Sequence, residues 1–391
     1  MKPNIIHSIV VCLTAFTLPL MVACSSQEES LPDNVTEAVL YLNIVTLGQT
    51  NAGVDNLPDI EKMQSLRVIV LHADGTVEHN RYYSLNGAQT HRDIILKVTP
   101  HEKKKIFLFA NEESVSQVTD GTVESGKQTL TAFFNSYTKG KDNFGSTVGN
   151  LYFAPAYSSE NPIPMSSMYE VDLSEQENFN GTFYVVRVAT KFTVNFYNWR
   201  GEEVTVNNFS IASHADNNFL MARVDDSDRN KQLFGEGNTW IDWLKAVSEA
   251  SNDNSDAATE KYGWLKDYQL PEGSNHVEYK WDKQILVEKP NINATDPDKS
   301  EPGLPNEIPV FYLPESKNTP KTENTDGSQE YKITLRINGI EKPFEFPLSN
   351  LESLFRNTHV IVNITFNKKN GITSSIEVRS WNNVRHTEII L

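Results

Sequence analysis

The chain has 391 residues, enough for two or three domains. Its net charge of −16 argues against a nucleic-acid partner, which needs a basic face, and suits a soluble surface in an extracellular setting. It has two cysteines, Cys12 and Cys24, and Cys12 falls inside an N-terminal targeting segment, so no intrachain disulfide is expected in the mature body.

Residues 1–23 read as a lipoprotein signal peptide. Lys2 supplies a positive start, and Ile5 to Ala23 is an apolar run interrupted by His7, Ser8, Thr14, Thr17 and Pro19. That run is too broken for a membrane span, which takes about 20 apolar residues, but it fits the apolar region of a secretory signal. It ends at Leu20-Met21-Val22-Ala23-Cys24, where a small residue precedes a cysteine. Cys24 is the expected lipidation site and first mature residue, a tether to the outer membrane. One acyl chain holds only marginally, at about 0.8 kcal/mol per buried CH₂, so stable anchoring needs the several chains of a bacterial lipoprotein. An ordinary signal peptide with a chance cysteine is the alternative. Residues 24–37 form a polar, acidic spacer beginning Ser25-Ser26-Gln27-Glu28-Glu29.

Period-two segments dominate the chain beyond residue 37, as strands with one buried face require. Ala38 to Val45 is the first strand, with Leu40, Leu42 and Ile44 on one face. Leu66 to Leu71 is followed by the turn Asp74-Gly75 and a return from Glu78 to Tyr83, a hairpin by its turn chemistry. Strands are expected at Asp93–Val98 and Lys105–Phe109, then a long pair over Thr182 to Tyr197 and Glu203 to Ile211. Later strands fall at Ile308–Leu313, Tyr331–Ile337, His359–Phe366 and Ser375–Val378, with a hairpin turn at Asn338-Gly339. Helical pattern is confined to Leu130–Phe134 and to Trp240, Trp243, Leu244 and Val247, the latter with Asn238 or Thr239 as cap. Those tryptophans read as core packing beneath a loop. Residues 249–259 and 291–306 are polar and rich in Asn, Asp, Ser and Pro, the composition of surface insertions.

No catalytic constellation emerges, and the chain reads as a non-enzyme. The mature histidines (His72, His79, His91, His101, His214, His276, His359 and His386) are scattered, with no pair at metal-binding helical spacing. No nucleophile elbow, phosphate loop or dinucleotide fingerprint is present. Asn252-Asp253-Asn254-Ser255-Asp256 starts like a calcium loop but lacks the glycine at position six and the glutamate at position twelve, so it reads as a solvated loop. No metal or cofactor is expected.

Several pieces, in order, resemble the fimbrillin family of Bacteroidales fimbriae. They are Leu66–Leu71 with Asp74-Gly75 and Tyr82-Tyr83; Phe107-Leu108-Phe109-Ala110-Asn111-Glu112; Ile163-Pro164-Met165-Ser166-Ser167; Val186 to Val194; Phe311-Tyr312-Leu313-Pro314-Glu315; Phe355-Arg356-Asn357-Thr358-His359; and the terminal strand around Trp381. The resemblance implies an all-β chain of two tandem transthyretin-like antiparallel β-sandwich domains, 38–180 and 181–391, with an insertion near 240–306. It implies a structural subunit of a surface fimbrium. Its partners would be other fimbrial subunits through strand donation, the outer membrane through the lipid, and a host or bacterial surface ligand. In such fimbriae an Arg-directed protease removes the first strand of stalk subunits, and a neighbour's C-terminal strand fills the groove.

No arginine occurs before Arg67, which lies inside an expected strand. An Arg-directed protease would then find no exposed site, and the first strand and lipid would be kept. Such a subunit can donate its C-terminus but not accept one, which is the role of a membrane anchor. A stalk subunit cleaved before polymerisation is the alternative, and a surface glycan-binding lipoprotein using Trp199, Trp264 and Trp281 is another. The expected donor segment is Ser375 to Leu391, with Ile376, Val378, Val384 and Ile390 on one parity and Trp381, Ile389 and Leu391 on the other. Apolar groups on both faces suit a strand that a partner covers.

Overall fold

The computed structural model describes residues 37–48, 57–121, 128–158, 160–223, 268–293, 300–303, 309–317, 331–348, 351–369 and 371–381, together with 240–242, 244 and 295. β1 (Ala38–Thr46) alternates, with Ala38, Leu40, Leu42 and Ile44 buried and Tyr41 exposed. A 3₁₀ turn at Asp59–Glu61 leads into β2 (Met63–Leu71). Gly75 then adopts φ +88°, which the tight turn needs and a side chain resists, and the chain returns as β3 (Val77–Gln89). β4 (His91–Val98) and β5 (Lys103–Ala110) follow. α1 (Leu130–Asn135) is capped by the Thr129 hydroxyl, which accepts from the Ala132 N–H. α2 (Phe144–Val148), β6 (Tyr152–Phe153), β7 (Met165–Asp172) and β8 (Asn178–Arg187) complete the first body.

Seven of its eight strands form one sheet path, β3-β2-β5-β7-β8-β1-β4. The β7–β8 pairing is confined to Met165↔Arg187 and Ser166↔Val186, after which the path folds into two layers. Leu40, Leu42 and Ile44 of β1 meet Leu66, Val68 and Val70 of β2 and Ile106 and Leu108 of β5 between those layers. The other face of β2 and β5 is also buried, since Ile69, Leu71, Phe107 and Phe109 pack under Phe133, Phe134 and Phe144 of the short helices. Burial on both faces explains why β2 reads as a continuous apolar run rather than an alternation.

The second body begins with β9 (Thr190–Asn198) and β10 (Val204–Ala215). The short β11 (Asn218–Phe219) reaches back to pair with β6. Then come β12 (His276–Trp281), β13 (Ile285–Val287), β14 (Phe311–Leu313), β15 (Ser316–Lys317), β16 (Lys332–Ile337), β17 (Phe344–Pro347), β18 (Ser353–Leu354), β19 (Thr358–Phe366) and β20 (Ile372–Ser380). One sheet is β14-β9-β19-β20 and the other β12-β10-β16-β17, with β13 also on β10. Phe192, Val194, Phe196, Phe209, Leu335, Val360, Val362 and Val378 form the core between them.

The all-β, two-sandwich expectation holds, with four differences. The stretch Thr182 to Tyr197 is not one strand but β8 and β9, one in each body. The division therefore falls at Val188-Ala189 rather than at residue 180. The sheets are not wholly antiparallel: β1 runs parallel to β8, and β9 parallel to β19. The stretch near 240–306 is not simply an insertion either, because β12 and β13 within it pair with β10.

Candidate functional site

The site suggested by the sequence is the seat of the first strand. β1 lies between two neighbours, antiparallel to β4 from Ala38↔Val98 to Val45↔His91 and parallel to β8 from Val39↔Asn178 to Thr46↔Val185. Leu40, Leu42 and Ile44 are each no more than 1% exposed. Taking β1 away would leave two unpaired strand edges and an apolar trough, a surface that a strand of another chain can satisfy.

The nearest arginine to β1 in sequence is buried. Arg67 is 3% exposed in β2, which has β3 on one side and β5 on the other. Its Nε donates to Glu112 Oε2 at 2.6 Å and its Nη2 to Glu112 Oε1 at 2.7 Å, while Nη1 donates to Asn80 Oδ1 at 2.7 Å. A bidentate, fully partnered guanidinium in a central strand cannot be drawn into a protease cleft without opening the sheet.

The loop that leaves β1 ends at a buried junction between the two bodies. Glu61, fully buried, takes Lys191 Nζ at 2.8 Å and the Tyr312 hydroxyl at 2.7 Å on Oε1, and the Trp381 indole N–H at 2.6 Å on Oε2. Its backbone carbonyl accepts from Arg187 Nε at 2.8 Å, and Arg187 Nη1 donates to the Leu47 carbonyl at 2.9 Å and to Asn357 Oδ1 at 3.1 Å. The Trp381 ring stacks on Tyr312 with centroids 5.8 Å apart, and the Arg187 guanidinium lies 5.0 Å from its centre. Burial, with Glu61 beside it, raises the Tyr312 hydroxyl well above its ordinary range, so it stays a donor.

The family-like segments of the sequence converge around this junction. Asn111, in the left-handed conformation at φ 60°, donates to the carbonyls of Lys62 (2.9 Å) and Ile163 (2.8 Å) and accepts from Gln64 N–H (2.7 Å). Arg356 pairs bidentately with Glu315, at 2.9 and 3.0 Å, and also donates to the carbonyls of Phe219 and Leu220. Glu61 itself carries no signal in the sequence. A lone glutamate after Pro-Asp-Ile gives no period or motif to mark it.

The residues expected to form a donor strand divide. Ile376 and Val378 lie in β20, paired with Val362 and Val360 of the chain's own β19, and Val378 and Trp381 are buried in this structure. Val384, Ile389 and Leu391 lie outside the described residues, as do Cys24, the Asn252–Asp256 stretch and Trp264. Of the candidate ligand aromatics, Trp281 stacks on Phe209 and Trp199 has the Lys368 ammonium 5.7 Å over its ring. Trp240 and Leu244 are buried in the first core, as packing predicts.

Two further features lie outside the strand seat. A groove of about 580 Å³ between the bodies is lined by Tyr157, His214, Asp216, Tyr279, Val310 and Tyr312. Asp216 is already engaged by the Asn275 N–H at 2.9 Å. His72, Glu78 and Glu102 come close enough to hold a cation, and a side chain supplies it. The fully buried Lys104 Nζ sits 2.5 Å from both Glu78 Oε2 and Glu102 Oε1. Burial alone would raise the Glu78 carboxyl, but the Lys104 ammonium and the Thr99 N–H outweigh it and hold it below the usual value.

No protein-family model matches the sequence, and no curated protein matches it. Solved structures do. The tip fimbrial protein Mfa3 from Porphyromonas gingivalis, with a C-terminal truncation, aligns with a TM-score of 0.48 at 12% identity, covering 88% of this chain and 100% of that one. A fimbrial assembly protein from Parabacteroides distasonis aligns with a TM-score of 0.41 at 9% identity, covering 88% and 98%. The chain is similar to fimbrial proteins.

Proposed function

We propose that this chain is a structural subunit of a surface fimbrium, and within it the subunit that anchors the polymer to the outer membrane through an acylated Cys24. The reading rests on one observation: the groove of the first body is filled by the chain's own β1, and the first arginine after it is buried. Leu40, Leu42 and Ile44 occupy the core, and each such side chain contributes roughly 1.5–3 kcal/mol on burial. An incoming strand would have to displace one that is covalently attached and therefore at high effective concentration. The segment 382–391, which carries Val384, Ile389 and Leu391, is the part left to be donated. On this reading the protein does no chemistry.

Mass spectrometry of the protein recovered from surface material tests the anchor role. The expected N-terminus is the acylated Cys24, and Cys24→Ala should move the protein, still folded, into the soluble fraction. A mature N-terminus next to Arg67 with the lipid lost would replace the anchor by a cleaved stalk subunit.

A further inference from the structure

We infer that the Glu61–Trp381 junction is a clamp that lets the subunit carry tension between its N-terminal tether and its C-terminal segment, an inference that rests on the fimbrial reading. β20 is the outermost strand of its sheet, and its last pair is Thr358↔Ser380. A pull on the chain beyond it would meet those pairs one at a time, which is the weakest way to load a ladder. Trp381, the next residue, interrupts that path. It is fully buried, bonded to Glu61 and flanked by Tyr312, Arg187 and Lys191.

From Trp381 the pull is shared. Glu61 passes it to β9 through Lys191 and to β14 through Tyr312. Arg187, at the end of β8, binds both the Glu61 and the Leu47 carbonyls, so the same cluster grips the chain just past the C-terminal end of β1. The tether to the membrane leaves β1 from its opposite end, at Ala38. The two pulls therefore act at opposite ends of β1. The ladders to β4 and β8 are then strained in shear, all pairs together, rather than peeled.

Single-molecule force measurement on the mature chain tests this. Expressed without the lipid, the chain from Cys24 onward has that residue as its sole cysteine, whose free thiol accepts one handle, and the C-terminus accepts the other. Trp381→Phe keeps an aromatic ring, though a smaller one, and removes the donor to a buried carboxylate, and Glu61→Gln removes the charge. Each should raise the unfolding rate under constant end-to-end load by roughly tenfold or more, the scale of a hydrogen bond to a charged group. A second geometry pulls from the turns, through Asp74→Cys and Asn338→Cys with Cys24→Ala. There the same variants should change the rate much less, while Val378→Ala, a core truncation, should weaken both geometries. Equal effects of Trp381→Phe in both geometries, or none in either, would overturn the clamp. Neither result depends on whether surface-isolated protein keeps its lipid, so failure of the clamp and failure of the anchor assignment remain separate.

Discussion

Arg67 and Arg187 each interrupt an apolar run, Arg356 sits in the turn before β19, and all three are buried. A hydrophobic pattern predicts strands around the first two and says nothing about why a guanidinium belongs in any of the three places. The answer lies in partners far away in sequence: Glu112 for Arg67, the Glu61 and Leu47 carbonyls for Arg187, Glu315 for Arg356. Such partners are invisible to periodicity, because spacing reports which face a residue occupies and not what waits opposite it. His214 makes a testable case. Burial, acting with the nearby His276, outweighs the Ala215 carbonyl and Asp216 and holds its imidazole below the ordinary histidine value. The unfolded chain therefore takes up that proton more readily than the folded one. The stabilisation is complete above about pH 6.5 and is lost as pH falls through the lower folded value. Urea unfolding of His214→Gln at about pH 7.5 and 5.5 should show a smaller acid loss of stability than the parent.

Most strands could be seen in the sequence, and the ones that could not had physical reasons. β8 and β9 look like one strand because Val186-Arg187-Val188-Ala189 holds no glycine, proline or turn residue where the chain passes from one body to the next. β12 hid in a polar stretch because it is the outer strand of its sheet and His276–Trp281 is only half buried. β20 was legible as a strand but not as a resident of its own sheet, since apolar residues on both parities suit either a covered donor or an edge next to a domain junction. Truncation separates its parts. A chain ending at Trp381 should melt at the parent temperature, because the clamp and β20 remain. A chain ending at Gly371 loses Val378 and Trp381 and should be destabilised by at least the roughly 3–5 kcal/mol of a large buried side chain. Thermal melts followed by circular dichroism would check both.

At the scale of the whole molecule, three apolar clusters and a buried polar junction supply the cohesion among the described residues. The chain from Cys24 onward has one cysteine and so no disulfide partner for it, and the His72–Glu78–Glu102 cluster is closed by Lys104. Neither reductant nor chelator should therefore shift the melting temperature of the full-length mature protein. A drop with chelator would mark a structural ion.

The parallel pairing of β1 with β8 sets an order of events in folding. Asn43 meets Thr182 across 139 residues, and Asn195 meets Asn363 across 168 in the second body. Contacts of that separation form late, because the loop between them must close first. The strand made first thus has no complete seat until β8 has arrived. Through that interval β4 can pair with one edge of it, but the other edge and its apolar face stay without their full complement. On the fimbrial reading, competition between a resident strand and a foreign one would be decided in that interval, before the finished fold exists.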